Sequence, residues 1–191
     1  MNSKVKQYQS TLREKLKVIF RANEVKSEWQ ATLTSFNVYS PRIDIAVGPF
    51  AEHRDCIIEY NSLLEQYRLF FLGLIELHNS NMISLYGDYF IRTLDNLLST
   101  NNNSRCFLSI EIENSTSRKH ILGGAINASS LGRVGLIIPF NKEKFLAIKK
   151  LEGYFNFLQN AGKNSFNANN LLIINKEQLD IYLHHFINKQ G

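Results

Sequence analysis

Cysteine is scarce: Cys56 and Cys106 are the only two in 191 residues, too few and too widely separated for a disulfide framework or a zinc motif. Both are expected as buried free thiols. Long apolar runs are missing as well. The longest, Leu69 to Ile75, falls far short of the roughly 20 residues that cross a bilayer. The chain opens on polar and charged residues rather than an apolar leader, so a cytoplasmic protein without a membrane partner is expected. No glycine-rich phosphate loop of the Walker or dinucleotide kind occurs, and no nucleophile elbow, which sets aside the chemistries those motifs carry. Internal repeats are absent, and the only low-complexity stretch is the short run Asn101-Asn102-Asn103. His184 and His185 are adjacent on a predicted helix and diverge in direction, so they make no metal pair.

Acidic side chains are the minority charge, 17 against 22 Lys and Arg, and the net +5 mildly favours a polyanionic partner. An apolar fraction of 44% with 20% charged residues is that of an ordinary globular protein and excludes a disordered tail. At this length one domain over 1–191 with a real core is expected, since two would each be near the lower size limit.

Periodicity supplies the element order. Val5, Tyr8, Leu12, Leu16 and Ile19 form a helical stripe over about 3–22, with Lys4, Lys6, Arg13, Lys15 and Lys17 on the other side. Residues 23–38 carry no clean period and are read as a turn and one strand ending in Phe36-Asn37-Val38-Tyr39. Pro41 then opens a strand that Gly48-Pro49 closes. Two helical stripes follow, Leu63, Tyr67, Phe70, Leu74 and Leu77, then Ile83, Tyr86, Phe90, Leu94 and Leu97, and they read as a helical insertion at about 52–104. A strand over 106–113 and a helix over 118–131 stopped by Gly132 come next, followed by a buried strand from Gly135 to Pro139. A helix around Phe145 to Leu158, a buried strand from Leu171 to Ile174 and a last helix around Leu179 to Phe186 complete the order. Strand, helix and buried strand make a right-handed crossover, so the class is α/β, a central mixed β-sheet flanked by helices.

Three carboxylates interrupt otherwise apolar strands. Successive strand residues alternate faces, so Ile43, Ile45 and Val47 are expected on one face and Arg42, Asp44 and Ala46 on the other. In the second strand Leu108, Ile110 and Ile112 oppose Ser109, Glu111 and Glu113. If the two strands are neighbours, Asp44, Glu111 and Glu113 converge on one patch, which is costly unless a cation or a proton occupies it. A hard divalent metal is the simplest resident; an edge strand with a solvated face is the plainer alternative. Directly after the second strand, Arg118, Lys119 and His120 fall in the first turn of a helix. That end carries a partial positive charge and favours acidic groups by roughly 0.3–1 kcal/mol each, so three cations there suit a bound anion such as phosphate, or else a solvated basic turn. Asn127, among Gly123, Gly124, Ala125 and Ala128, faces either the cleft or a close helix-sheet contact.

An Asp on one strand, an acidic pair spaced by one residue on the next, then a helix and a buried strand resemble the PD-(D/E)XK nuclease superfamily, the restriction endonuclease-like fold. Asp44, in Pro41-Arg42-Ile43-Asp44, matches the first carboxylate, and Glu111-Ile112-Glu113 matches the second motif. The resemblance implies a magnesium site formed by Asp44, Glu111 and the main-chain carbonyl of Ile112, with Mn2+ as a substitute and Glu113 holding a second ion or orienting water. A lysine usually stands where Glu113 does, so Glu113 itself or Lys119 would take over its part, with Arg118 and His120 gripping neighbouring phosphates. A helix-one acid can complete the metal site in the superfamily, and no pattern selects among Glu14, Glu24 and Glu28. The function implied is magnesium-dependent hydrolysis of DNA phosphodiester bonds by a restriction-type endonuclease. A homodimer is expected, since a duplex backbone is itself pseudo-symmetric and the helices at 60–99 could supply the interface. The alternatives are a catalytically inactive nucleic-acid-binding or assembly module with the same fold, and a metal-free scaffold with a protein partner.

Overall fold

In the computed structural model, residues 3–31, 40–51, 54–115, 117–162 and 167–190 are described. The first amphipathic stripe forms α1 (Ser3–Ile19), which buries Val5, Tyr8, Leu12, Leu16 and Ile19 together with one polar residue, Gln9. Five strands follow in sequence: β1 (Val25–Gln30), β2 (Arg42–Phe50), β3 (Cys106–Glu113), β4 (Gly132–Pro139) and β5 (Leu171–Ile173). They lie in the sheet in that same order, β1-β2-β3-β4-β5. β2 runs antiparallel to both of its neighbours, β1 and β3, whereas β3, β4 and β5 run parallel. Between β2 and β3 come α2 (Ile57–Gln66), α3 (Arg68–Tyr86), a single 3-10 turn and α4 (Leu94–Ser99), the helical segment expected there. The parallel strands are joined by α5 (Arg118–Leu131) and α6 (Lys142–Asn160), and α7 (Lys176–Gln190) closes the order. The architecture is α/β with an open mixed sheet flanked by helices.

Two helical layers sandwich the parallel half of the sheet. The larger core joins α1, α2, α3 and α7 to Ile45, Val47, Leu108, Ile110, Ile112, Val134, Leu136 and Ile138. The smaller joins α5 and α6, through Ile121, Ala125, Ala128, Ile148 and Phe155, to Ile137, Leu171 and Ile173. Between α6 and the segment before α4, Arg92 and Glu152 form a buried ion pair, and Arg133 of β4, fully buried, donates to the Thr100 carbonyl at 3.0 Å and to Asn61 at 2.8 Å. Buried pairs of this kind fix how elements dock more than they add net stability. Cys56 and Cys106 are buried free thiols.

Several sequence expectations change. The first strand described is Val25–Gln30, and the strand end expected at Phe36 to Tyr39 lies outside the described residues. β2 continues through Gly48 and Pro49 to Phe50 because, past a register shift after Val47, Phe50 pairs with Cys106. The stripe from Ile83 to Leu97 is not one helix: α3 ends at Gly87, whose φ of 59° glycine adopts without steric cost, and α4 restarts behind a Thr93–Asn96 capping box. β4 begins at Gly132, not Gly135. Gly132 ends α5 in extended conformation rather than as a left-handed cap. Its role is closeness, since a Cβ there would stand 2.3 Å from Ser109 Oγ and 2.4 Å from the Val134 carbonyl.

Alternation along β1 and β2 also breaks, in one place. Val25, Ile45 and Val47 belong to the larger core, but Trp29 and Ile43 pack with Ala31, Ala46 and Cys106 in a third cluster. Glu28 sits between these sets with φ of 52°, a left-handed conformation uncommon outside glycine, and one such residue rotates the strand that follows it. The β1–β2 register pairs Ser27 with Ile45 and Trp29 with Ile43, stepping over Glu28 and Asp44. Ile43 is therefore not on the face of Ile45 and Val47 that strict alternation assigns.

Candidate functional site

The break in alternation is where the carboxylates meet. β2–β3 pairing runs through Val47–Leu108 and Ala46–Ser109 to Ile45–Ile110, and the same register continued one step sets Asp44 opposite Glu111. Asp44 there uses its side chain as strand backbone would be used: Oδ2 accepts the Ile112 N–H at 2.8 Å. Ile112 is thus tied to Asp44 through its amide, while its side chain is buried in the larger core. From α1, Gln9 Nε2 donates to the Asp44 carbonyl at 2.6 Å and to Glu28 Oε1 at 2.9 Å, bridging the two strands at the opening.

Crowding and burial decide the charge state. Asp44 is pushed up to about 6, by burial first, with the charges of Glu28 and Glu113 adding to it; the Ile112 N–H and a hydrogen bond with Glu111 oppose the rise. Glu111 is raised well above the ordinary carboxylate range, again by burial, then by Asp44 and Glu113, against a hydrogen bond from Asn127. Both carboxyl groups are thus shifted toward their neutral forms, Glu111 the more strongly. Glu113 is raised more mildly. Burial pushes it up while the Ser115 N–H, which donates to Oε1, and the charges of His120 and Lys144 pull it down.

α5 lies against this patch because its small residues allow it. A Cβ on Gly124 would stand 3.7 Å from Glu113 Oε2 and 3.8 Å from Glu111 Cβ, and one on Gly135 of β4 would meet the Ala128 backbone at 2.8 Å. Both readings of Asn127 hold together: the small residues bring the helix close, and the close helix delivers the Asn127 amide to Glu111. At the start of α5, Arg118, Lys119 and His120 are exposed, and Ser117 makes no side-chain cap bond. Phe140, just before α6, donates its N–H to the Glu113 carbonyl at 2.9 Å, so the starts of both α5 and α6 adjoin β3 at Glu113. Lys144, in the first turn of α6, keeps its side chain only 14% exposed. An open cleft of about 630 Å³ reaches the site from the β1 side, lined by Lys6, Gln9, Glu28, Arg42 and Asp44.

Of the helix-one and β1 acids left open by the sequence, Glu28 is the one at the site. Glu14 is exposed and paired with Arg13 and Lys17, and Glu24 pairs with Lys26. Sequence reasoning missed Gln9, whose signal is a polar residue inside an apolar helical stripe. It also missed Lys144, whose signal is the same wrong-sign charge in a first turn that singled out Lys119.

Among the described residues, no group of three or more His, Cys, Asp or Glu side chains is gathered into a metal cage. Magnesium does not require one, because it is bound through one or two carboxylates with several waters kept. The Asp44–Glu111 pair fits that requirement: two crowded carboxylates, each pushed toward its neutral form by burial and by neighbouring acids, are oxygen donors that a cation would neutralise. No family model, no curated protein and no solved structure matches this chain.

Proposed function

We propose that this chain is a magnesium-dependent DNA endonuclease of the PD-(D/E)XK type, acting in the cytoplasm, with Mn2+ as a substitute metal. The observation that carries the reading is the meeting of Asp44 and Glu111 at a break in the sheet, where Asp44 Oδ2 accepts the Ile112 N–H, with Glu28 and Glu113 adding charge around the pair. The element order supports it: an Asp on β2, the acidic pair on the adjacent β3, then α5 and the fully buried parallel strand β4.

Asp44, Glu111 and the Ile112 carbonyl would hold the metal, which when bound polarises a phosphoryl oxygen and supplies a nucleophilic water. The chain's own residues do the rest. Gln9 and the Ile112 amide fix Asp44 from both sides, and Asn127 fixes Glu111. Glu113, raised less than Glu111 because the Ser115 N–H and then the charges of His120 and Lys144 oppose its burial, accepts a proton from the attacking water or orients it. Positive charge opposite the phosphate comes from Lys144, His120 and Lys119, while Arg118 and His120 grip flanking phosphates.

Incubation of the purified protein with plasmid DNA and magnesium tests this, with Glu111→Ala as control. Conversion to nicked or linear product by the wild type alone supports the reading, whereas intact plasmid across many DNA substrates with both Mg2+ and Mn2+ sinks it. The second reading, an inactive nucleic-acid-binding or assembly module, is favoured by one observation: Glu113 stands where the superfamily usually has lysine. That reading expects DNA binding with no cleavage at any metal concentration.

The assembly proposed is a homodimer. Ile58, Leu69 and Leu72 of α2 and α3 are exposed at 79%, 78% and 38%, an apolar surface that a second copy would cover. Sedimentation equilibrium, compared with a Leu69→Glu variant, reads it directly.

A further inference from the structure

The cleft beside Asp44 contains two cations that the metal chemistry leaves unused. Lys6 lies in the first turn of α1, where positive charge opposes the helix dipole; it is exposed, and among the described residues it is in no ion pair. Arg42 begins β2 and reaches Glu28 only at 3.9 Å, with both side chains about half exposed. A contact that long and that wet is worth little and exchanges readily for a better anion. A phosphate is such an anion, because a guanidinium binds it through a planar fork of donors. Gln9, by contrast, is buried and committed to Glu28 and to the Asp44 carbonyl, so the floor of the cleft is fixed while its rim remains available.

From these placements we infer that the cleft is a phosphodiester subsite, in which Lys6 and Arg42 hold the phosphate next to the one at Asp44 and Glu111. The inference rests on the nuclease reading and extends it. Cations then flank the carboxylates on two sides: Lys6 and Arg42 toward β1, and Arg118, Lys119, His120 and Lys144 toward α5 and α6. The ligand that meets both rims is a continuous strand with several successive phosphates, not a mononucleotide or a phosphomonoester. When Arg42 turns to phosphate it releases Glu28, which leaves that carboxylate beside Asp44 to balance a bound cation.

Salt dependence of binding counts these contacts. Log affinity falls with log salt by about 0.9 for each phosphate neutralised on a duplex, so the slope reports contacts even where nothing is cut. Fluorescence anisotropy with a labelled duplex of about 20 base pairs, in EDTA over about 50–200 mM NaCl, is the measurement. Lys6→Ala and Arg42→Ala should each lower the slope by about 0.9, and the double variant by about 1.8. Lys17→Ala, whose side chain pairs with Glu14, should leave it unchanged. Both subsite residues are exposed, so their variants should melt with the wild type. A double variant with the wild-type slope overturns the subsite while leaving the nuclease reading standing if the wild type still cuts plasmid. An equal fall for Lys17→Ala also overturns it, because diffuse charge would then explain the effect. A wild type that shows no salt-dependent DNA binding overturns the subsite, and one that also leaves plasmid intact overturns both.

Discussion

The backbone N–H of Ile112 donates to Asp44 Oδ2 at 2.8 Å, so a side chain of β2 engages β3 just beyond the last registered pair, Ile45 and Ile110. An ionisable group has taken the place of a carbonyl in the seam of a sheet. Protonation at Asp44 is thereby coupled to how the strands hold together as well as to any chemistry the group performs.

Stability should fall with rising pH because of this arrangement. Asp44 moves from 3.8 in the unfolded chain to about 6 in the fold, so between those values the native state binds more protons and loses ground as they leave. The contribution is fully present below about pH 4, declines to about pH 6 and is constant above, with Glu111 carrying the decline to higher pH because it is raised further. Asp44→Asn keeps an oxygen for the Ile112 N–H and removes the charge. At pH 8 it should unfold at higher urea than the wild type, by about 1–3 kcal/mol, and at pH 4 it should show no such gain. Identical pH profiles for the two proteins would contradict a strained carboxylate at this place.

Magnesium should reverse that loss. A cation competes with protons at Asp44 and Glu111, both raised, so its binding strengthens as pH rises and releases protons. At one hundred times its dissociation constant a ligand adds about 2.7 kcal/mol, which for a chain of this size is about 5–10 °C in melting temperature. The shift should be larger at pH 8 than at pH 5 and vanish in Asp44→Ala. A melting temperature indifferent to Mg2+ and Mn2+ at both pH values would favour the metal-free scaffold.

Gly135 tests how closely α5 must approach. A methyl there would stand 2.8 Å from the carbonyl carbon and oxygen of Ala128, which are backbone and cannot swing aside. Gly135→Ala should destabilise by about 1–3 kcal/mol, and it should push α5 outward with Asn127 on it. Cleavage measured well below the variant's melting temperature should therefore drop more than the fraction unfolded explains. A drop that merely follows unfolding would make Asn127 a packing residue.

Much of this was legible because it rests on local pattern. The strand over 106–113 and the helix over 118–131 coincide with β3 and α5, since a period of two and a period of 3.6 cannot be confused over such lengths. The convergence of Asp44 with Glu111 followed from alternation within each strand plus one assumption, that the strands are neighbours. Glu28 was not legible. Its presence depends on a left-handed backbone at a residue that is not glycine, which no propensity predicts, and on register with β2. Gln9 and Lys144 depended on tertiary docking of α1 and of α6, each of which looks from its own sequence like an ordinary surface helix with one residue out of place.

Lys144 and Lys119 now compete for one role, and the structure gives them unequal positions. Lys119 is exposed on α5, while Lys144 has a side chain 14% exposed and a charge that acts on Glu113. The cost of a cation largely withdrawn from water in a first turn, where the helix dipole repels it, is offset there by Glu143 at 3.6 Å and by Glu113, on whose charge it acts. Lys144→Ala should lower metal-dependent cleavage by about 100- to 1,000-fold, the usual loss on removing one preorganised charge from a site, with Lys144→Arg recovering part of it. Lys119→Ala should cost less than about ten-fold if it contacts only flanking phosphate. An independent readout accompanies this: without Lys144 the Glu113 carboxyl loses a neighbour that holds its pKa down, so its titration, followed by carbon-13 NMR, should move upward. The opposite order of activity losses, with Glu113 unmoved, would return the role to Lys119.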